Sequence, residues 1–113
     1  MSHKKSIIEQ LTQEVVAFRD ERDWKQFHNG KDLALGLSIE AAELNELFLW
    51  KRAEEVDREK LAEELADVMN YVLLMADAFS LDLAEIVRHK LTLNAAKYPV
   101  EKAKGKASKY TEL

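Results

Sequence analysis

The fold of this chain is decided by residues 32–52, which read DLALGLSIEAAELNELFLWKR. Apolar side chains recur along this segment every three or four residues, at Leu33, Leu37, Ala41, Leu44 and Phe48. This period predicts a helix over residues 32–52. The opposite side is also apolar, at Leu35, Ile39, Ala42 and Leu49. A helix that is apolar on every side is buried on every side, so we expect a second subunit to cover part of it.

Three further segments have the helical period, over residues 5–22, 58–79 and 83–97. Each starts with capping residues, namely Ser6 with Glu9, Asp57, and Asp82 with Glu85. Asn29-Gly30 predicts a turn between the first two helices. Pro99 ends the fourth helix, and the lysine-rich residues 100–113 have no clear period. We therefore predict four helices followed by a C-terminal arm.

The composition restricts both the fold and the functional class. A length of 113 residues predicts one domain over residues 1–113, and 3 Gly with 1 Pro favour an all-α, four-helix bundle-like fold over a sandwich or barrel. A net charge of −4 argues against nucleic acid as a partner. The absence of cysteine excludes disulfides and thiolate metal sites. No segment predicts a signal peptide or a membrane span, so we expect a cytoplasmic protein.

Two acidic pairs stand out in the second and third predicted helices. Glu40 and Glu43 are three residues apart, as are Glu64 and Asp67, so each pair shares one helix face. At about 100° per residue, both pairs lie about 60° and 120° from the apolar stripe of their own helix. If the stripes pack together, four carboxylates converge beside the seam. The alternative is that these are ordinary solvated acids.

Four converging carboxylates cannot all remain ionised unaided, so either their pKa values rise or cations bind. Oxygen ligands without Cys or His favour Mg²⁺, with Mn²⁺ as a second choice. A ferritin-like di-iron site would require Glu-x-x-His motifs, and the three histidines, His3, His28 and His89, do not form one. The sequence thus predicts a magnesium site that would bridge an acidic protein to an anionic substrate.

Aromatic and basic residues supply candidate substrate contacts. The candidates for stacking on a nucleobase are Trp24, Phe27, His28 and Trp50. Trp50 falls about 20° from Glu43 on the wheel of the second helix. One face of the fourth helix carries a polar set suited to phosphate and sugar, namely Lys90, Asn94, Lys97 and Tyr98. Packing roles for the aromatic residues and a solvated helix face are the alternatives.

Together these segments resemble the MazG-type all-α nucleoside triphosphate pyrophosphohydrolases, and most closely the dCTP pyrophosphatase branch. The resemblance covers nearly the whole chain and is carried by ERDWKQFH (21–28), EAAELNELFLW (40–50), EELADV (63–68), KYPV (97–100) and KYTEL (109–113). The broad MazG pattern often has a glutamate immediately before its first motif glutamate. Here that position is Ile39, which agrees with the dCTP pyrophosphatase branch but leaves the number of metal ions open.

The resemblance implies Mg²⁺-dependent cleavage of a deoxynucleoside triphosphate to its monophosphate and pyrophosphate, within an intertwined homotetramer built as a dimer of dimers. It implies that Glu40, Glu43, Glu64 and Asp67 are the catalytic metal ligands. It also implies a base and sugar pocket formed by Trp24, His28, Trp50 and Tyr71, with Lys90, Asn94, Lys97 and Tyr98 near the phosphates and sugar. dCTP or a modified dCTP is favoured by this resemblance alone.

Two other functional classes remain compatible with the sequence. The chain is also consistent with a non-catalytic helical oligomerisation module, whose acids only solvate a seam. A nucleotide-binding regulatory subunit without turnover is the other possibility. Pyrophosphate release distinguishes the enzyme from both.

Overall fold

The computed structural model describes residues 4–113 and contains helices, turns and no strand within that range. These residues form five α-helices: α1 (Ile7–Glu21), α2 (Gly30–Glu46), α3 (Arg58–Ala78), α4 (Leu83–Lys97) and α5 (Val100–Ala103). Three single 3₁₀ turns occupy Lys25–Phe27, Ala53–Glu55 and Tyr110–Glu112. The all-α prediction is confirmed, and no described helix has the length and apolarity needed to cross a bilayer.

Side-chain caps fix the starts of the four long helices. Ser6 Oγ accepts the backbone N–H of Glu9 at 3.1 Å, and Asp82 Oδ1 accepts that of Glu85 at 3.0 Å. Asp57 caps α3 as predicted. Asn29, which the sequence indicated only as part of a turn, caps α2 by accepting the N–H of Asp32 at 2.9 Å. Each cap satisfies a backbone donor that has no partner inside its helix.

The C-terminal end of α2 differs from the prediction. The helix ends at Glu46 rather than at Arg52. The N–H groups of Phe48 and Leu49 bond to carbonyls three residues earlier, at 3.0 and 3.1 Å, so the chain tightens into turns. Trp50 then adopts a φ of 62°, which a right-handed helix does not tolerate. The short segment after α2 is therefore a loop.

The chain forms two compact units, the first ending at Leu81 and the second comprising Asp82–Leu113. In the first unit α2 packs along α3, and α1 packs on α3 as well. Its buried apolar core is small and consists of Leu33, Leu73, Leu74 and Ala76. This packing places the middle of α2 beside the N-terminal half of α3, where the acidic pairs lie.

In the second unit, the end of α4 is joined to the C-terminal arm by aromatic contacts. The rings of Tyr98 and Tyr110 meet edge to face with centroids 6.1 Å apart. Lys97 Nζ lies 5.0 Å from the centre of the Tyr110 ring, within the range of a cation–π contact. The arm is thus anchored on the last turn of α4, and it contains one more short helix than the sequence indicated.

Candidate functional site

An acidic cluster lies where α2 and α3 pack together. One carboxylate oxygen from each of Glu40, Glu43 and Glu64 lies within 4.8 Å of the other two. Asp67 follows Glu64 by one turn of α3, and it lines a cavity together with Glu40. The equal offsets of the two acidic pairs from the apolar stripes of their helices predict this convergence. The packing of α2 on α3 brings three of the four acids together, namely Glu40, Glu43 and Glu64.

The electrostatics of the cluster are those of crowded like charges. Burial raises the pKa of Glu40 to about 7, helped by the neighbouring carboxyl of Glu43 and by repulsion from Asp67 and Glu64. Burial, followed by repulsion from Glu43, also raises the pKa of Glu64. Proximity of several carboxylates disfavours the ionised form of each one. A bound dication would relieve this repulsion.

Two carboxylate oxygens of the cluster lack the hydrogen bonds that buried oxygens normally make. Oε2 of Glu40 and Oε2 of Glu64 are both buried and have no hydrogen-bond partner within the described part of the chain. A buried acceptor without a partner calls for a ligand, because leaving it unsatisfied costs free energy. An oxygen-only donor set of this kind fits a hard cation such as Mg²⁺. The residues present are therefore able to hold a metal ion, and the identity of that ion stays a prediction.

A cavity of about 200 Å³ opens beside the acids. Its walls come from α1, the turn after α1, α2 and α3, and are formed by Val15, Phe18, Arg19, Trp24, His28, Glu40, Asp67, Asn70, Tyr71 and Leu74. Pockets for whole drug-sized ligands measure roughly 300–1,000 Å³. This cavity therefore suits one planar ring, with the rest of a larger ligand extending past the carboxylates.

The turn after α1 positions the aromatic wall of the cavity. Asp23 has a φ of 55°, and the N–H of Trp24 returns to the carbonyl of Arg19 at 3.1 Å. The Trp24 ring then meets Phe18 edge to face, with centroids 5.9 Å apart. Nδ1 of His28 is buried with no hydrogen-bond partner among the described residues. Trp24 and His28 thus offer a stacking surface and a free hydrogen-bonding atom.

Arg19 and Asn70 are cavity residues that the sequence analysis missed. Arg19 is only 5% exposed, and its Nε donates to Asp20 at 3.0 Å while Nη1 lies 3.9 Å from Asp77. Asn70 follows Asp67 by three residues and shares its face of α3. Arg19 follows Val15 by four residues in the same way. These spacings were available in the sequence, but neither residue type by itself indicated a site.

Trp50 does not lie where the helical wheel put it. Because α2 ends at Glu46, the predicted angle of about 20° between Trp50 and Glu43 is wrong. The side chain is 94% exposed and is not among the residues that line the cavity. A part in the site, if Trp50 has one, therefore stays a prediction.

The predicted phosphate and sugar contacts belong to the second unit. Lys90, Asn94 and Lys97 lie on α4, and Tyr98 caps its C-terminal end, where its N–H donates to the carbonyl of Asn94 at 2.8 Å. Asn94 is half-buried, while Lys90, Lys97 and Tyr98 are exposed. Their role toward a substrate also stays a prediction.

Comparison with known proteins gives one consistent result. Residues 35–113 match the MazG-like family. The chain is 39% identical to dCTP pyrophosphatase 1 of Bos taurus, over 94% of this chain and 68% of that protein. It is 38% identical to the Homo sapiens protein of the same name, over 94% and 67%. A pyrophosphatase from Archaeoglobus fulgidus with a solved crystal structure is 37% identical to this chain in sequence. The two structures superpose with a TM-score of 0.80, over 88% of this chain and 98% of that one.

Proposed function

This chain belongs to the MazG-like family, and from that premise we propose that it hydrolyses deoxynucleoside triphosphates to monophosphate and pyrophosphate, with dCTP or a modified dCTP favoured. The similarity to dCTP pyrophosphatases and to a solved pyrophosphatase makes it a nucleoside triphosphate pyrophosphohydrolase. The proposed reaction and its substrate are supported mainly by the convergence of Glu40, Glu43 and Glu64 beside an aromatic cavity.

The carboxylates of Glu40, Glu43, Glu64 and Asp67 would hold one to three Mg²⁺ ions, with Mn²⁺ as a substitute. When bound, such ions neutralise the triphosphate and stabilise the charge that develops at phosphorus. The partnerless Oε2 atoms of Glu40 and Glu64 support this role, because a buried carboxylate oxygen gains most from a ligand. Without cations, the cluster would repel a substrate that carries about four negative charges.

The residues of the chain then supply orientation and proton transfer. A carboxylate of the cluster accepts a proton from the water that attacks the α phosphorus, as the bond from that phosphorus to the bridging oxygen breaks. Pyrophosphate leaves with the bridging oxygen, and the monophosphate retains the attacking one. Lys90 or Lys97 would offset the negative charge that grows on the phosphates.

The cavity would receive the base. Trp24 and Tyr71 provide flat aromatic surfaces, and the buried Nδ1 of His28 supplies one polar contact to the base or sugar. Trp50, from its exposed loop, would add a further aromatic contact. Asn94 and Tyr98 would meet the sugar and phosphates from α4.

We also propose a homotetramer, built as a dimer of dimers, acting in the cytoplasmic nucleotide pool to remove unwanted nucleotides. Large apolar side chains on α2 and α3 are exposed in the single chain, including Ile39 at 58% and Leu65 at 55%. Covering such side chains with a second copy of the chain would remove apolar surface from water. Light scattering after size exclusion tests this, with Ile39→Lys expected to shift the mass toward smaller species.

The proposed activity is tested by measuring pyrophosphate and monophosphate release across the four dNTPs, with Mg²⁺ and with chelator. We expect turnover only with the metal, and a loss of about a hundredfold or more in Glu43→Gln. Glu63→Gln is the matched control, because Glu63 is an exposed acid that neighbours Glu64 but lies outside the acidic cluster. Binding of nucleotide without product would favour a regulatory subunit, and no binding would favour an oligomerisation module.

A further inference from the structure

Gly36 lies in the interior of α2, where glycine is an unfavourable residue. A glycine inside a helix is less stable than an alanine, because its backbone loses more conformational freedom on folding. Its backbone does not explain the choice, since the described glycine with positive φ is Gly105, in the C-terminal arm. The reason must therefore be the space that the missing side chain leaves.

That space is filled by the ring of Tyr71 from α3. A Cβ atom built on Gly36 would lie 2.3 Å from Cε1 of Tyr71, 2.6 Å from Cζ and 3.0 Å from the hydroxyl oxygen. Ordinary van der Waals contact for a Cβ begins at 3.4 Å. The Tyr71 ring thus packs against the backbone of α2 at a position where only glycine leaves room for it.

The contact between Gly36 and the Tyr71 ring adjoins the proposed base cavity. Gly36 precedes Glu40 by one helical turn, and Tyr71 follows Asp67 by one turn. Tyr71, Glu40 and Asp67 all line the cavity. The contact between Gly36 and the Tyr71 ring therefore lies between α2 and α3, one helical turn from Glu40 and from Asp67.

We propose that Gly36 is a positioning residue that sets how large a base this enzyme accepts, by letting the Tyr71 ring withdraw from the cavity against α2. This inference rests on the proposed function of the site. With a methyl group at position 36, the ring must recede by about 1 Å to restore a contact of 3.4 Å in place of 2.3 Å. Because the backbone of α2 blocks the other side, the ring moves toward the cavity of about 200 Å³.

The test is substrate selectivity in Gly36→Ala. KM and kcat are measured for dCTP, for dCTP carrying methyl or iodine at C5, and for dATP and dGTP. For every larger base that the wild type accepts, we expect kcat/KM relative to dCTP to fall about tenfold or more, mainly through KM, because one methylene-sized change in a pocket gives about 10- to 200-fold discrimination. Ratios within twofold of the wild type would overturn the proposal.

Gly30→Ala is the matched control. It makes the same substitution in the same helix, and its Cβ would lie 2.6 Å from Cζ of Phe79. Phe79 does not line the cavity, so we expect its selectivity to equal that of the wild type. An equal fall in relative kcat/KM for the larger bases in Gly30→Ala would show that a general disturbance of α2 causes the effect, and would overturn the proposal.

Tyr71→Leu completes the test and protects it against poor folding of Gly36→Ala. Removing the ring should raise relative kcat/KM for the larger bases, and adding Gly36→Ala to that variant should change selectivity by less than about twofold. A full Gly36→Ala effect without the ring would contradict the mechanism. Wild-type protein that releases no pyrophosphate from any dNTP would refute the proposed function, whereas active protein with unaltered selectivity in the variants refutes this inference alone.

Discussion

The metal-free protein should become less stable as the pH rises from 5 to 8, because of its acidic cluster. Burial, the Glu43 carboxyl and repulsion from Asp67 and Glu64 raise the pKa of Glu40 from 4.5 to about 7. A raised carboxyl pKa means that the folded protein holds this proton more tightly than the unfolded chain does. The resulting stabilisation is fully present below about pH 4.5 and is lost as the pH rises through about 7.

The size of the effect follows from the two pKa values. A separation from 4.5 to about 7, at about 1.4 kcal/mol per pH unit, sets an upper limit of about 3 kcal/mol. Because the Glu40 side chain is partly exposed, solvent screening reduces this to about 1–2 kcal/mol. For a domain of about 100 residues, each kcal/mol changes Tm by about 4–8 °C. We therefore expect the metal-free Tm to fall by about 4 °C or more across this range.

Thermal unfolding by circular dichroism, in chelator and with millimolar Mg²⁺, measures this directly. Mg²⁺ should raise Tm more at pH 8 than at pH 5, because protons compete with the cation for the same carboxylates. Glu40→Gln should flatten the metal-free pH dependence, while Glu46→Gln, an exposed acid on the same helix, should retain it. A metal-free Tm that responds to pH identically in wild type and Glu40→Gln would show that the Glu40 carboxyl does not cause the pH dependence.

Three further predictions concern single side chains. Leu33→Ala should lower the free energy of unfolding by about 2–5 kcal/mol in urea titrations, since Leu33 is 1% exposed, and a loss under about 1 kcal/mol would contradict its place in the core. Asp82→Ala should cost about 0.5–2 kcal/mol by the same assay, because it removes the cap on Glu85 N–H; an unchanged midpoint would argue against the cap. His28→Ala should reduce kcat/KM for dCTP by about tenfold through KM, and a change confined to kcat would contradict the proposed contact of His28 with the base or sugar.

Much of the fold was readable from the sequence because the caps and apolar periods are local signals. The predicted fourth helix, residues 83–97, has the observed bounds, and the third differs by a single residue. The end of α2 was not readable, since residues 47–52 continue the apolar pattern and contain neither Gly nor Pro. The break is seen in the structure from the turn hydrogen bonds of Phe48 and Leu49 and from the left-handed backbone of Trp50.

The candidate site, like the fold, was predictable from the sequence only in part. The acidic cluster was predictable because two pairs with equal spacing and equal offsets can converge when the apolar stripes of their helices pack together, and Glu40, Glu43 and Glu64 do so. Arg19 and the Gly36–Tyr71 contact were not, because each depends on how α1 or α2 meets α3, and that contact is decided by packing rather than by period. The structure contains one chain, so the second subunit that the sequence predicts stays a prediction. The exposure of several residues of the apolar stripes, Leu65 among them, supports it.

The most direct test of the central claim is a crystal structure of the protein grown with Mn²⁺ and a non-hydrolysable dCTP analogue, with anomalous scattering recorded at the manganese edge. We expect at least one anomalous peak about 2–2.3 Å from carboxylate oxygens of Glu40, Glu43 and Glu64, with triphosphate oxygens on its open side. Manganese bound elsewhere, or a nucleotide bound with no metal among these carboxylates, would contradict it.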